Sequence, residues 1–161
     1  MSEAVNNRDP EDDLKFPENR VGKDRSENPF AIHKDLQTMM QDLVGIVRQE
    51  EEMRQALDGL EKLHKRYEAV SVEGNKDYNP GWHTAMDLSN MLTVSEAIAR
   101  SALVRRESRG GHFRLDYPNK DEGLGKVNTV IRKAPDGLMK VTQELVPEMT
   151  VEHKAIIEEM K

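Results

Sequence analysis

The segment RRESRGGHFRLDYP, residues 105–118, concentrates the side chains of this chain whose types and spacing could do chemistry. A charged run stops at two glycines and then becomes a basic and aromatic segment. Three interpretations are open: an active-site loop, a nucleic-acid contact, or the end of a helix. The candidate residues are Arg105, Glu107, Ser108, Arg109, Gly110, His112 and Arg114.

The helix-end interpretation accounts for most of these residues. The arginines up to Arg109 are predicted to lie in the last turn of a long helix, where the helix dipole favours cations, and Gly110 supplies a left-handed residue just past the end. Glu107 is not explained, because the dipole disfavours a carboxylate in the last turn unless the carboxylate has a partner. Arg109, Arg114 or another surface could supply that partner.

The rest of the chain argues against several other chemistries. There is no cysteine, which excludes disulfides, thiolate metal sites and cysteine nucleophiles. A net charge of −6 argues against general nucleic-acid binding, and a single Arg-Gly-Gly does not change that. The five histidines have no metal-motif spacing, although His112 stands out because it follows the glycine turn. The stretch DEGLGK is a weak signal for phosphate binding, because no strand-to-helix pattern surrounds it.

Apolar periodicity predicts the helices that must position these residues. The first begins at Pro29 with Asn28 as its cap, and Gly45 predicts a break near 45–48. The second spans about 50–70, and the third about 81–109. The residues expected on their apolar faces are Leu36, Met39, Met40, Leu43 and Val47, then Met53, Leu57, Leu60, Leu63, Tyr67 and Val70, then Trp82, Ala85, Leu88, Leu92, Ser95, Ile98 and Ala102.

After Pro118 the spacing of the apolar residues changes from a helical pattern to a strand pattern. Two β-branched segments flank Asp136-Gly137, a hairpin turn signal, and Thr150 is a plausible cap for a short final helix. The predicted fold is therefore mainly α: a three-helix bundle, up-down-up as in a spectrin repeat, with a C-terminal β-hairpin and a short terminal helix. The expected divisions are a disordered polar leader at 1–28, the three-helix domain at 29–118 and the hairpin and helix at 119–161. No apolar run is long enough to span a bilayer and the first residues lack a secretory h-region, so a soluble, cytoplasmic chain is expected.

The segment ARSALVRRESRGGHFRLDYPNKD resembles the C-terminal helical domain of the flavoprotein subunit of succinate dehydrogenase and fumarate reductase. That family has an Arg-x-Glu-Ser-Arg-Gly-Ala-His-x-Arg signature at the end of a long helix, in which Gly111 replaces the usual small residue. The stretches from residue 28 to 63 and from 79 to 98 are similar to the family's three helices. L-aspartate oxidase and the adenylylsulfate reductase α subunit share the module, but the residues after Pro118 are more similar to the first branch.

The resemblance implies a piece, split or truncated, of an FAD-dependent dicarboxylate oxidoreductase that packs against a flavin domain supplied by another chain. An iron–sulfur subunit is a further possible partner, and any membrane contact would be indirect, through the complex. The family's FAD site and catalytic residues lie outside this domain, so no catalytic residue and no cofactor are assigned to this chain. The signature residues are then structural or interface residues, with Glu107 paired to an arginine near the interface. In that case, Glu107→Ala should weaken docking more than stability.

An alternative function is a free-standing interaction or assembly domain that reuses the fold without oxidoreductase activity. The two functions differ in the surface that they require. A domain that packs against a flavin domain should expose a contiguous apolar patch when alone, whereas an independent protein should have covered it.

Overall fold

The computed structural model describes residues 27–75 and 77–160. Three helices form the body: α1 (Pro29–Leu43), α2 (Glu50–Glu68) and α3 (Pro80–Val104). The shorter elements are β1 (Val47–Arg48), β2 (Phe113–Arg114), a 3-10 turn (Leu124–Lys126), β3 (Val127–Lys133), β4 (Met139–Leu145) and α4 (Val151–Glu159). The predicted mainly α bundle with a hairpin and a closing helix is confirmed. Most of the leader predicted for residues 1–28 lies outside the described residues.

Two helices start where the sequence predicts, because asparagine side chains cap them. The Asn28 side chain accepts a hydrogen bond from the Phe30 amide at 2.8 Å, and Pro29 takes the first position of α1. The Asn79 side chain accepts from the amides of Gly81 and Trp82 at the start of α3. These caps satisfy amides that have no partner inside the helix.

The core lies where the three helices meet. Its buried apolar residues are Ile32, Leu36, Val44, Met53, Ala56, Leu60, Leu63, Val70, Val72, Ala85, Leu88, Leu92, Ala99 and Ala102. Several residues on the buried side of α3 are small, which lets the neighbouring helices approach closely. Gly59 of α2 does the same for α1, because a side chain there would collide with the Met39 sulfur.

The structure corrects three details of the predicted helices. Helix α3 ends at Val104, five residues before the predicted end, because Arg105 has an extended backbone. Val47 leaves the apolar face of the first helix and lies half-exposed in a strand, since α1 ends at Leu43. Ile98 is also partly exposed, while Ala99 takes the core position beside it. The break predicted near Gly45 is confirmed.

The two pairs of strands have different roles. Strands β3 and β4 form an antiparallel hairpin whose turn contains Gly137 with φ +84°, as the Asp-Gly signal predicts. Strands β1 and β2 pair in parallel over two residues, Val47 with Phe113 and Arg48 with Arg114. This short ribbon ties the segment after α3 to the connection between α1 and α2. None of the described helices is long and apolar enough to cross a membrane.

Candidate functional site

The signature residues lie in a loop, residues 105–121, which we call the signature loop. Its backbone reverses between Arg109 and His112, whose amides and carbonyls exchange hydrogen bonds at 2.8 and 3.1 Å. Gly110 sits in this turn with φ +59°. It is left-handed as predicted, but it serves a loop turn rather than the end of a helix.

Glu107 is fully buried, and its carboxylate is bound entirely by groups of this chain. Arg105 Nη2 lies 2.6 Å and Arg109 Nε 3.0 Å from Oε1, and the Asp121 amide donates to Oε2 at 2.9 Å. The hydrogen bond from Arg109, with help from Asp121 and Arg105, outweighs burial and lowers the pKa of Glu107 to about 2. The partner that Glu107 requires is thus Arg109, together with Arg105, and not Arg114.

Arg114 is also fully buried and joins two helix ends. Its Nη1 donates to the carbonyls of Ala102 and Leu103 at 3.0 and 3.2 Å, and so caps the last turn of α3. Its Nε and Nη2 donate to the Asp116 carboxylate at 2.7 and 2.5 Å. These bonds explain why α3 stops early, because the loop must return to place the guanidinium over the helix end.

Asp116 continues the connection to α2. Its Oδ2 accepts a hydrogen bond from the Glu50 amide at 3.2 Å, and the Gln49 side chain makes no capping bond there. The hydrogen bond from Arg114 lowers the pKa of Asp116, which keeps the carboxyl ionised. A cation therefore lies at the C-terminus of α3 and an anion at the N-terminus of α2, the signs that the two helix dipoles favour.

His112 and Ser108 complete the loop with polar contacts. His112 Nδ1 lies 2.7 Å from Arg48 Nη1, and its Nε2 lies 2.9 Å from the Arg105 carbonyl. Since Arg48 can only donate and the carbonyl can only accept, the imidazole is neutral with its proton on Nε2. Ser108 Oγ accepts from the Arg114 amide at 2.8 Å and donates to the Tyr117 carbonyl at 2.9 Å.

All seven residues predicted from the sequence thus come together in one loop. Sequence reasoning missed the roles of Arg48, Asp116 and the Asp121 amide. Asp116 could have been found, because a carboxylate two residues after a buried arginine is a natural partner for it. Arg48 gave no local signal, since it is 64 residues from His112.

This arrangement uses most of the predicted side chains to hold the loop in place. Glu107, Arg114 and both nitrogens of His112 have their partners within the loop or its neighbours. Within residues 27–75 and 77–160, no group of three or more histidine, aspartate or glutamate side chains could hold a metal ion. The described residues do not fit FAD either, because their only parallel strand pair is two residues long and no glycine-rich turn leads from it into a helix.

The ionisable side chains of the signature loop predict a loss of stability in acid. Burial, together with Arg48, Arg114 and Arg105, lowers the pKa of His112, so below about pH 6.5 the unfolded chain binds a proton that the folded chain resists. Glu107 adds stability above its unfolded pKa of 4.5, and this is lost as the pH falls towards about 2. We expect the free energy of unfolding, measured in urea, to decline in two stages as the pH falls. His112→Gln should abolish the upper stage only; an unchanged upper stage would contradict this assignment.

Substitutions at Gly110 and its neighbour Gly111 test whether the turn requires a left-handed backbone. A methyl group at either would meet no atom within 4 Å, but only Gly110 has a positive φ. Gly110→Ala should therefore lower the free energy of unfolding by about 1 kcal/mol through backbone strain alone, and Gly111→Ala by much less. Urea unfolding of both variants measures the difference, and equal losses would show that the left-handed backbone is not the cause.

The geometry can now be compared with known proteins. The family model described as "Fumarate reductase flavoprotein C-term" matches residues 33–157. The chain is 34% identical over 105 residues to the succinate dehydrogenase flavoprotein subunit of Coxiella burnetii, covering 65% of this chain and 18% of that protein.

Solved structures show the same fold. Mycobacterium smegmatis Sdh1, solved in complex with UQ1, superposes with a TM-score of 0.77 at 41% identity over 85% of this chain and 24% of the other. E. coli quinol fumarate reductase FrdA, solved as an E245Q variant, superposes with a TM-score of 0.70 at 28% identity, over 83% of this chain and 23% of the other.

These matches define a class of protein: the helical C-terminal domain of succinate dehydrogenase and fumarate reductase flavoprotein subunits. The family match covers most of the chain, so the chain belongs to the fumarate reductase flavoprotein C-terminal family. It spans about a fifth of the length of the curated relatives that it matches, and is a partial piece of a larger flavoprotein architecture.

Proposed function

We propose that this chain is the helical domain of an FAD-dependent dicarboxylate oxidoreductase of the succinate dehydrogenase and fumarate reductase type. In this proposal it packs against a flavin-binding domain that the 161 residues do not contain. An iron–sulfur subunit would join the same assembly, and the membrane would be reached only through the complex. The chain itself binds no flavin.

The observation that carries the proposal is the family match over residues 33–157 in a chain whose described residues do not fit FAD. Curated relatives such as the Coxiella burnetii and Mycobacterium tuberculosis proteins are named flavoprotein subunits, and this chain corresponds to less than a fifth of the first of them. A domain of this kind contributes to flavin chemistry through what it contacts. The signature loop supports such a role, because its paired charges give the domain a fixed shape to present to a partner.

The exposed surface favours docking over a free-standing interaction domain. Several large apolar side chains are exposed in the segments beside the signature loop, whereas a protein that acts alone should have covered them. The free-standing alternative keeps one supporting observation: the buried charges are satisfied inside the chain, so its folding needs no partner charge.

The proposal is tested by purifying the tagged chain from its own cells and recording flavin absorbance and the mass spectra of the proteins that accompany it. Recovery of an FAD-bearing polypeptide of this family is the expected result. Recovery of the chain alone, monodisperse and colourless, would contradict the proposal and favour the free-standing domain.

A further inference from the structure

Four exposed apolar side chains surround the parallel ribbon, and we call them the ribbon face. Ile46 is 70%, Val47 53%, Phe113 40% and Leu115 56% exposed. They are neighbours in space, because Val47 pairs with Phe113 and the Phe113 amide donates to the Ile46 carbonyl at 3.1 Å. The Leu115 amide donates to the Arg48 carbonyl at 2.9 Å and places Leu115 at the same ribbon.

The ribbon face carries no charge because the two arginines of the ribbon, Arg48 and Arg114, make their contacts on its other side. Side chains alternate along a strand, so Arg48 and Arg114 lie on the opposite side from Val47, Phe113 and Leu115. Ile46 precedes β1, so this alternation does not fix its side, and it borders the face at the start of the ribbon. Arg114 is fully buried against the end of α3, and Arg48 is engaged by His112. Contacts of Arg48 and Arg114 therefore hold the ribbon in position. A partner that binds the ribbon face would not spend binding free energy on ordering these strands.

An open groove lies beside the segment that leads into the ribbon, and none of the four ribbon-face residues lines it. It has a volume of about 690 Å³ and lies between the C-terminal half of α1, Arg48 and Ile98 of α3. Val44 and Gly45, which directly precede Ile46, line its wall. Contacts between domains usually bury about 600–1,500 Å². Four side chains supply only part of such an area, so the surface around them must contribute the rest.

We propose that the ribbon face lies in the surface against which the flavin-binding domain packs. The inference rests on the proposed function and deepens it by naming the face. This chain covers 24% and 23% of the Mycobacterium smegmatis and E. coli proteins, so more than three quarters of each of those chains lies outside this domain. So large a remainder must meet the domain somewhere, and the ribbon face is an exposed apolar surface whose backbone is hydrogen-bonded to the signature loop.

One competing surface is helix α4. It exposes Val151, Ile156 and Ile157, with exposed Met160 directly after it, and none of its residues is buried. No polar network comparable with the signature loop holds it against the three-helix body within the described part of the chain. Fixing the position of α4 against the body would cost part of the binding free energy, whereas the ribbon is already paired and hydrogen-bonded.

Single cysteines test this choice, because the natural sequence has none. The tagged 161-residue chain carrying Val47→Cys, Leu115→Cys or, as the control on α4, Val151→Cys is coupled to a benzophenone maleimide. Each protein is irradiated in an extract of its own cells, and the joined polypeptides are identified by mass spectrometry. Thermal unfolding of each labelled protein confirms that it remains folded. We expect the FAD-bearing polypeptide to be joined at positions 47 and 115 and far less at 151.

The outcomes of the crosslinking experiment distinguish a failure of the ribbon-face proposal from a failure of the proposed function. Joining at 151 as strongly as at 47 would overturn the ribbon face and leave the proposed function standing. The ribbon face is equally overturned if the wild-type chain co-purifies with the FAD-bearing polypeptide but neither ribbon position joins to it. If no FAD-bearing polypeptide is recovered by either route, the proposed function fails, and the inference fails with it.

A pair of phenylalanine variants gives an independent measure. Phe113 lies on the ribbon face, and Phe30, similarly exposed, lies in the first turn of α1. Phe113→Ser should weaken binding to the co-purified FAD-bearing polypeptide by roughly tenfold or more, as loss of a central aromatic contact does, and Phe30→Ser should change it little. Equal effects of the two substitutions would overturn the assignment.

Discussion

Glu107→Ala should lower the free energy of unfolding of this domain by about 3 kcal/mol, as loss of one partner from a buried ion pair typically does. The carboxylate is fully buried, with Arg105 at 2.6 Å and Arg109 at 3.0 Å. Removing it leaves two guanidinium groups facing each other and the Asp121 amide without its acceptor. Because both arginines are partly exposed, water relieves some of the cost, and the loss stays near the lower end of the range for buried pairs.

Urea unfolding of Glu107→Ala beside Glu144→Ala measures this effect. Glu144 also pairs with an arginine, Arg132, but on the exposed surface of the hairpin, and exposed pairs add little to stability. A large loss of stability in Glu107→Ala would differ from the prediction made from the sequence. That prediction places the partner of Glu107 near an interface and expects the substitution to weaken docking more than stability. Glu107→Ala as mild as Glu144→Ala would show that the signature loop does not stabilise the domain.

Arg114→Lys should be nearly as damaging, with a loss of about 2–4 kcal/mol, although it keeps the charge. The guanidinium of Arg114 bonds the carbonyls of Ala102 and Leu103 with one nitrogen and the Asp116 carboxylate with two others. A lysine ammonium is a point donor and cannot serve both sides at once. It would leave either the last carbonyls of α3 without their donor or the Asp116 carboxylate without its paired cation.

The matched control is Arg132→Lys on the hairpin, where an exposed arginine meets Glu144. Its stability in urea should stay close to that of the wild type. Thermal unfolding by circular dichroism would report the loss of helix at the end of α3 in Arg114→Lys. A wild-type melting curve for Arg114→Lys would refute the capping role.

Much of the fold follows from local sequence patterns. The spacing of Met53, Leu60 and Leu63 predicts the buried side of α2, and all three are buried. Asp136-Gly137 predicts the hairpin turn, and Gly137 has the positive φ that such a turn requires. These features depend on residues close in sequence, so periodicity and turn chemistry are enough to find them.

The signature loop could not be predicted in the same way. Its arginines look like a basic last turn of a helix, but α3 ends at Val104 because Arg114, ten residues later, binds its final carbonyls. The ribbon is only two residues per strand and joins segments more than 60 residues apart. No periodicity is visible over so short a pair. The sequence does show that Glu107 needs a cationic partner. Which arginine supplies that partner depends on the path that the signature loop takes after α3.

Family membership rests on the family match, whereas the function is a proposal. The family model matches 125 of the 161 residues, counting from 33 to 157, and establishes membership. Turnover of a dicarboxylate, contact with a flavin domain and assembly with an iron–sulfur subunit are proposals about a larger assembly. The structure contributes a physical role for the signature: it joins the end of α3 to the start of α2 and supports an apolar ribbon beside them.

The most direct test of the account is reconstitution of activity. The FAD-bearing polypeptide that co-purifies with the chain is separated from it, and its succinate oxidation and fumarate reduction are measured with an artificial electron carrier, with and without the chain. We predict that the chain alone is inactive, and that adding the wild-type chain, but not Phe113→Ser, restores turnover. The same turnover with and without the chain would contradict the claim that this domain completes a flavoprotein oxidoreductase.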